Sequence, residues 1–124
     1  TRAAMEADKA SLMWTLCNGK AEKANGETAF QAMRRADKTA AQVIETYLKY
    51  LCVGINSIVN IFQPDVLCIG GGVSHEDETL LQPIRQFLAQ YGYARYSTCQ
   101  TRVTQAKLGN DAGIIGAALI ENYF

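Results

Sequence analysis

The residues of this chain that could do chemistry lie in two glycine-rich stretches. The first, Gly70-Gly71-Gly72, directly follows the short apolar run 66–69. A glycine turn at the carboxyl end of a parallel strand is where α/β proteins bind ligands, because residues without side chains let a ligand approach the backbone. The stretch matches neither G-x-G-x-x-G nor the P-loop pattern G-x-x-x-x-G-K-[ST]. From its residues alone, the stretch is equally consistent with a nucleotide-binding turn and with a tight turn that binds nothing.

The second stretch is L-G-N-D-A-G-I-I-G-A-A, residues 108–118. Its polar side chains are those of Asn110 and Asp111, residue types that commonly cap the start of a helix. Asp111 has no acidic or basic partner nearby in the sequence. The pattern therefore favours a helix cap at this point over a catalytic pair.

The thiols and the imidazole do not form a metal-binding pattern. The single histidine, His75, is separated in sequence from the four cysteines, and no C-x-x-C pair occurs among Cys17, Cys52, Cys68 and Cys99. Zinc sites normally need clustered cysteine and histidine ligands. We predict reduced thiols in apolar surroundings, no zinc site in this chain and, since no secretory signal opens it, a cytoplasmic location.

Composition excludes several classes of function for this segment. The chain has 124 residues, of which 48% are hydrophobic and 19% charged, so it can bury a core. Twelve basic residues balance twelve acidic ones, which gives no electrostatic attraction towards nucleic acid or an anionic membrane. No apolar run approaches the ~20 residues that span a bilayer. The first residue is Thr1, which indicates a processed chain or a fragment of a longer one.

The first half of the chain is predicted to be helical. A helix over residues 1–18 ends at Asn18-Gly19, and a polar loop follows over 19–26. T-x-x-Q capping boxes starting at Thr28 and Thr39 predict a helix to about residue 36 and a long one that stops before Pro64. The long helix carries an apolar stripe that widens in its second half, so we expect that half to be buried. The stripe consists of Val43, Tyr47, Leu51, Ile55, Ile58 and Phe62.

The second half alternates between strands and helices. Residues 66–69 predict a buried parallel strand and 102–106 a second strand. Ser74 and Asp77 lie near the start of the helix between them, which Pro83 interrupts and Gly92 caps. A last helix follows Asp111. The order is that of an α/β protein, but two strands do not make a self-sufficient sheet, which suggests a fragment of a domain.

Together the two glycine stretches resemble the ROK family of sugar kinases and repressors. That family typically reads P-[DE]-x-[IVL]-x-[IVL]-G-G-G-[VL]-S and, after a helix, L-G-x-x-A-G-x-x-G-A-A. The matching stretches are 64–74 and 108–118, and residues 26–37 and 54–60 are also similar. The resemblance covers the chain from about residue 26 to its end, and residues 1–25 are assigned only as a helix and loop.

The resemblance implies a glucokinase-like fold and function. The fold would be α/β, part of an actin/hexokinase-like (ribonuclease H-like) ATPase lobe, helix-rich with few strands. Residues 1–124 would be one partial domain, the C-terminal lobe. The full-length protein would use ATP with Mg to phosphorylate a hexose such as glucose, with Gly70, Gly71 and Gly72 against the adenosine. Its partners would be the missing N-terminal lobe, the nucleotide, the hexose and further copies of itself.

Several motifs of ROK kinases do not occur in this chain. These are the aspartate base, the glycine-threonine-glycine phosphate loop, the sugar-binding E-x-G-H and the zinc motif C-x-C-G-x-x-G-C. Because phosphoryl transfer to a hydroxyl depends on positioned charge and a base, we predict no catalytic residue here and no activity of the chain alone.

Two other functions stay open. One is the effector and dimerisation lobe of a ROK-type sugar-responsive repressor, and the other is an α/β module whose glycines are structural only. A half-domain exposes apolar surface that drives association, so helix 38–63 or the strand edge at 66–69 is predicted to pair with another copy.

Overall fold

A computed structural model of the chain describes residues 1–108 and 111–120. The described part divides into two compact units, Thr1–Val53 and the part that begins at Gly54. Short 3-10 helices occur at Ala21–Lys23 and Gly72–Glu76. The α-helices and strands are α1 (Arg2–Ala7), α2 (Leu12–Leu16), α3 (Gly26–Arg34), α4 (Lys38–Phe62), β1 (Val66–Ile69), α5 (Glu78–Tyr91), β2 (Arg102–Gln105) and α6 (Ala112–Ile120).

The helix predicted over residues 1–18 is in fact two helices, α1 and α2. Polar side chains bind the backbone at the break: the Asp8 carboxylate accepts a hydrogen bond from the amide of Ala10, and the Ser11 hydroxyl accepts one from the amide of Met13. The indole N–H of Trp14 donates to the carbonyl of Met5 at 2.7 Å. Aspartate and serine compete with helical hydrogen bonds in this way, and the high helix propensity of the flanking residues did not reveal it.

The helix α3 begins before the predicted cap. Asn25 is its N-cap, since the Asn25 side chain accepts from the amide of Thr28 at 2.9 Å and the Thr28 hydroxyl accepts from the amide of Asn25 at 3.2 Å. The capping box predicted for Thr28 and Gln31 is therefore wrong. The Gln31 side chain donates to Glu27 instead.

The start of α4 is capped by Asp37 and not by Thr39. The Asp37 carboxylate accepts from the amide of Ala40 at 2.7 Å, while the Thr39 hydroxyl donates to the Asp8 carboxylate. The helix ends at Phe62, before Pro64, as predicted.

The second half of α4 is less buried than the apolar stripe predicted. Cys52, Ile55 and Val59 are buried, but Ile58 is 48% exposed and Phe62 72% exposed. The burial expected for the second half of the stripe is therefore wrong at Ile58 and Phe62, because the described residues of the second unit leave these side chains uncovered. In the first unit the largest fully buried side chains are Met5, Met13 and Phe30.

The second unit contains the two predicted strands, but the burial predicted for the first of them is wrong, because Val66 and Cys68 are exposed and Leu67 and Ile69 are half-buried. β1 pairs with β2 in parallel, in a register that sets Val66 opposite Arg102 and Ile69 opposite Gln105. Parallel neighbours need a crossover, and α5 supplies it. Three α5 side chains (Leu80, Leu81, Ile84) and Val103 of β2 are buried. Pro83 lies inside α5 and not in a first turn, because the helix begins at Glu78 after a 3-10 segment.

The helix α6 is apolar in composition, yet its described residues are poorly covered. Ile114 is 73% exposed and Leu119 51% exposed. A helix that is apolar on all sides is normally buried, and the described residues do not cover this one. Asn110, predicted to cap it together with Asp111, lies outside the described residues.

The cysteines fall into two groups. Cys17 and Cys52 are buried, whereas Cys68 and Cys99 are exposed, so the prediction of apolar surroundings is wrong for the latter two. Burial raises the pKa of the Cys52 thiol. Across residues 1–108 and 111–120, no group of three or more histidine, cysteine or acidic side chains is arranged to hold a metal ion. Within the same residues, no helix combines the length and apolar character needed to cross a membrane.

Candidate functional site

The glycine turn lies at the carboxyl end of β1, where the sequence predicts it. Gly70, Gly71 and Gly72 are exposed, and the 3-10 helix Gly72–Glu76 follows at once. The amide of Ala106 donates to the carbonyl of Ile69 at 2.9 Å, so parallel pairing with β2 continues up to the turn. Open α/β sheets bind ligands at this edge.

Only the middle glycine is required by the conformation of the turn. Gly71 has a φ of +83°, in the left-handed region that side chains disfavour. A Cβ atom on Gly72 would meet nothing within 4 Å, and one on Gly70 would make an ordinary contact of 3.5 Å with the Cβ of Ala106. The described structure therefore has room for a side chain at Gly72.

The start of the second glycine stretch lies close to the first, because Ala106 is next to Gly70. Ala106 lies at the end of β2, just before residue 108, where the second stretch begins. Because β2 runs parallel to β1, the residues that lead into the second glycine stretch lie beside Gly70. Asp111 is exposed and precedes α6 directly.

The segment after the turn contains a residue with an unusual backbone conformation. Asp77, the N-cap of α5, has φ 47° and ψ −126°, and its side chain makes no capping hydrogen bond. Its carbonyl accepts from the amides of Leu80 and Leu81 at 3.1 and 2.9 Å. His75 is exposed, whereas Glu76 is buried. The sequence identified Asp77 only as a helix start, because its backbone angles depend on how the turn joins α5.

Arg85 joins the start of α5 to the outer edge of β2. Its guanidinium contacts the Glu78 carboxylate at 2.9 Å, and its Nε donates to the carbonyl of Val103 at 3.1 Å. An ion pair this exposed contributes little stability. Sequence reasoning did not select Arg85; its spacing of seven from Glu78, two turns along one helix face, is the signal that could have found it.

Two cavities of the second unit lie away from the turn. One of about 660 Å³ follows β2 and is lined by Cys68, Arg85 and Thr104 among others. Another of about 400 Å³ lies at the amino ends of the strands, beside Asn60 and Arg95. Neither is lined by the three glycines. The glycine turn alone can offer backbone contacts to a ligand but supplies no acid–base chemistry.

Comparison with known proteins gives a consistent result. The ROK family profile matches residues 3–122. The chain is 33% identical over 110 residues to a glucokinase of Thermotoga maritima, which covers 89% of this chain and 34% of that protein. It is 39% identical over 88 residues to a glucokinase of Halalkalibacterium halodurans, covering 70% of this chain and 26% of that protein.

A solved structure extends the likeness to the fold. The ROK family glucokinase of Streptomyces griseus, determined in complex with glucose and AMPPNP, matches with a TM-score of 0.77 and 26% identity, over 96% of this chain and 39% of that one. The helix-rich α/β part of an actin/hexokinase-like fold is thereby confirmed. The chain spans only about a quarter to two fifths of the length of these relatives. The profile, the sequence identities and the fold agree over nearly the whole chain, and the chain therefore belongs to the ROK family.

Proposed function

We propose that this chain is the C-terminal, nucleotide-binding part of an ATP-dependent hexose kinase that acts on a sugar such as glucose. Residues 1–124 would form one partial domain of it. The support is that the relatives above carry the name glucokinase and that the solved relative holds glucose and an ATP analogue. ATP would be used with Mg in the complete protein, and a cytoplasmic location follows from the need for ATP.

The observation that carries this proposal is the pattern of glycines at the end of β1. Gly72 adopts a backbone conformation open to any residue, and its Cβ position is empty. Local folding therefore gives no reason for glycine there. A ligand that lies against the backbone gives one, since a side chain would occupy its place. We assign this ligand as the adenosine of ATP, against Gly70, Gly71 and Gly72.

The chain alone should not transfer a phosphoryl group. The sequence lacks the base, the phosphate loop and the sugar-binding motif of ROK kinases. Phosphoryl transfer requires that the nucleotide phosphates, the metal and the acceptor hydroxyl be held together, which the glycine turn cannot do by itself.

The partner that fits this chain is the rest of a ROK kinase. The amide of Arg102 donates to the carbonyl of Asp65, and that of Ala106 to the carbonyl of Ile69. The backbone groups of successive strand residues point in alternate directions. The backbone N–H and C=O groups of Val66 and Cys68 therefore point away from β2, towards an edge to which another strand can be added. The exposed apolar side chains of α6 would also be buried by contact with such a partner. The repressor alternative gains no support from the described residues or from the named kinases.

A chimeric enzyme tests the proposal. Residues 3–122 would replace the matching segment of the Thermotoga maritima glucokinase, and glucose phosphorylation would be followed by a coupled assay. We expect turnover by the chimera and none by the chain alone. Turnover by the chain alone, or a folded chimera that binds ATP without phosphorylating glucose, would contradict the proposal.

Substitutions in the chimera test the glycine turn. Gly72→Ala should raise the KM for ATP at least about tenfold, because a methyl group at a close contact costs that much in a fitted site. Gly54→Ala is the matched control, since Gly54 is exposed on α4 and its Cβ position is also empty. An unchanged KM for ATP in Gly72→Ala would show that the turn does not touch the nucleotide.

A further inference from the structure

The outer edge of β2 carries backbone groups that no strand of the described chain pairs. The described sheet has two strands, and β2 faces β1 through the amides of Arg102 and Ala106. Because backbone groups alternate in direction along a strand, those of Val103 and Gln105 point the other way, out of the sheet. A row of such groups is a template for pairing with another chain.

The Arg85 guanidinium binds this outer edge. Its Nε donates to the carbonyl of Val103 at 3.1 Å, and that carbonyl is an acceptor that an added strand would use. The Val103 side chain is buried, so the strand is held in place where Arg85 binds it. Arg85 lies on α5, the helix that connects the two strands, and its side chain reaches the edge from there.

Glu78 fixes the orientation of the guanidinium. The Nη1 atom of Arg85 donates to both carboxylate oxygens of Glu78, at 3.0 and 2.9 Å, while Nε keeps its bond to Val103. A guanidinium is planar and its donors have fixed directions. Binding Glu78 through Nη1 therefore sets the direction in which Nε donates.

The space beside this edge is lined by positive charge. The cavity of about 660 Å³ that follows β2 is bordered by Arg85, Arg102 and Lys107 and, among the described residues, by no acidic side chain. Charged side chains at a sheet edge oppose the addition of a strand, because pairing would bury them.

The opposite edge of the sheet has a different character. Its outward backbone groups belong to Val66 and Cys68, whose side chains are uncharged. The β1 edge of one copy and the β2 edge of another are complementary, since a parallel sheet continues in the same direction across both. Such a head-to-tail contact repeats without closing and produces open-ended polymers.

We propose that Arg85 protects the outer edge of β2, so that β2 remains the last strand of the sheet and a further strand is added only beside β1. Removal of the guanidinium opens the β2 edge to the β1 edge of a second copy. This inference does not depend on the nucleotide site.

Arg85→Met in the whole chain tests the inference. The concentration at which the mean mass doubles, measured by light scattering, should fall about tenfold, which is the worth of one hydrogen bond to a charged group. Quenched hydrogen exchange read by NMR gives the location of the contact. The amides of Val103 and Gln105 should become protected in the associated variant, because they point out of the sheet.

A second substitution shows whether association uses the β2 edge. Gln105→Pro removes an outward N–H and leaves the bond from the Ala106 amide to Ile69 intact, and proline is tolerated at such an edge position. Added to Arg85→Met, it should return the association to the wild-type level.

Two further variants complete the design. Arg102→Met is the matched control, since it removes the same charge from an exposed side chain of β2 whose backbone faces β1, and it should associate as the wild type does. Glu78→Gln keeps Arg85 but releases its guanidinium, and it should increase association by a smaller factor than Arg85→Met.

The inference is overturned if neither Arg85→Met nor Glu78→Gln associates more than the wild type. It is also wrong if Arg85→Met associates more but Gln105→Pro does not reverse the effect, or if the amides of Val103 and Gln105 stay unprotected, because another surface is then responsible. Should Arg85→Met not fold, Glu78→Gln with and without Gln105→Pro decides by the same criteria.

Discussion

At the scale of single residues, the Asp37 side chain links two helices of the first unit, α2 and α4, through hydrogen bonds. One carboxylate oxygen accepts from the amide of Ala40 at 2.7 Å, and the other accepts from the amide of Leu12 at 2.6 Å and from the Ser11 hydroxyl at 2.9 Å. One acid therefore caps α2 and α4 together. Burial by itself raises its pKa, but the hydrogen bonds from Ala40, Leu12, Ser11 and Thr39 outweigh that effect and hold the pKa below its ordinary value of 3.8.

Replacing Asp37 should destabilise the first unit in a pH-dependent manner. Asp37→Asn should lower the free energy of unfolding by roughly 2 kcal/mol at neutral pH, because it loses two caps and leaves a buried amide poorly matched to three donors. The folded-state pKa is lowered, so the stabilisation is complete above the unfolded value and is lost as the pH falls through the folded value. Urea unfolding from neutral to acidic pH measures this.

The variant should lack that acid-sensitive component of stability. Glu45→Gln on the exposed side of α4 is the matched control and should leave both the stability and its pH dependence nearly unchanged. A wild type and an Asp37→Asn variant of equal stability at neutral pH would show that the double cap is not important.

At the scale of elements, two glycines on neighbouring helices have opposite roles. Gly92 ends α5, where its amide donates to the carbonyl of Leu88 at 2.8 Å, and a Cβ atom there would lie 2.5 Å from that same oxygen. Gly54 lies within α4 with no atom near its Cβ position. The first glycine is therefore required by close backbone approach, whereas the second only weakens a helix.

Alanine at the two positions should change stability in opposite directions. Gly92→Ala should cost about 1–3 kcal/mol, since the opposing atom belongs to the backbone and cannot turn aside. Gly54→Ala should add about 0.5–1 kcal/mol through helix propensity. Chemical denaturation of both variants in parallel provides the measurement. A Gly92→Ala variant as stable as the wild type would mean that the end of α5 rearranges freely.

At the scale of the whole molecule, apolar surface remains that the described chain does not cover. Ile61 and Phe62 of α4 are each 72% exposed, and Ile114 of α6 is 73% exposed. The chain also spans only about a third of the relative from Thermotoga maritima. Surface of this kind drives association when its partner is missing.

The isolated chain should therefore self-associate. Light scattering over a concentration series should show a rising mean mass, and the double substitution Ile61→Gln with Phe62→Gln should reduce it without lowering the Tm, since neither side chain is buried. A wild-type chain that stays monomeric at high concentration would contradict the homo-oligomer predicted from the sequence.

Local sequence patterns by themselves determined a large part of this protein. The positions of the strand at 66–69, of the strand predicted at 102–106 and found at 102–105, and of the end of the long helix before Pro64 were predicted correctly. Short apolar runs, glycine and proline act over a few residues, which is why local patterns locate them. The glycine turn was found in the same way, and the family followed from the two glycine stretches.

Tertiary structure decided the features that depend on residues far apart in the chain. Asp37 caps both α2 and α4, and its hydrogen bond from the amide of Leu12 joins residues 25 positions apart. Several serine, threonine and aspartate side chains could have served as caps, and packing selected among them. The exposure of Phe62 and the strained backbone of Asp77 arise in the same way, because what covers a helix and how a turn meets it are set by three-dimensional contacts and not by local preference.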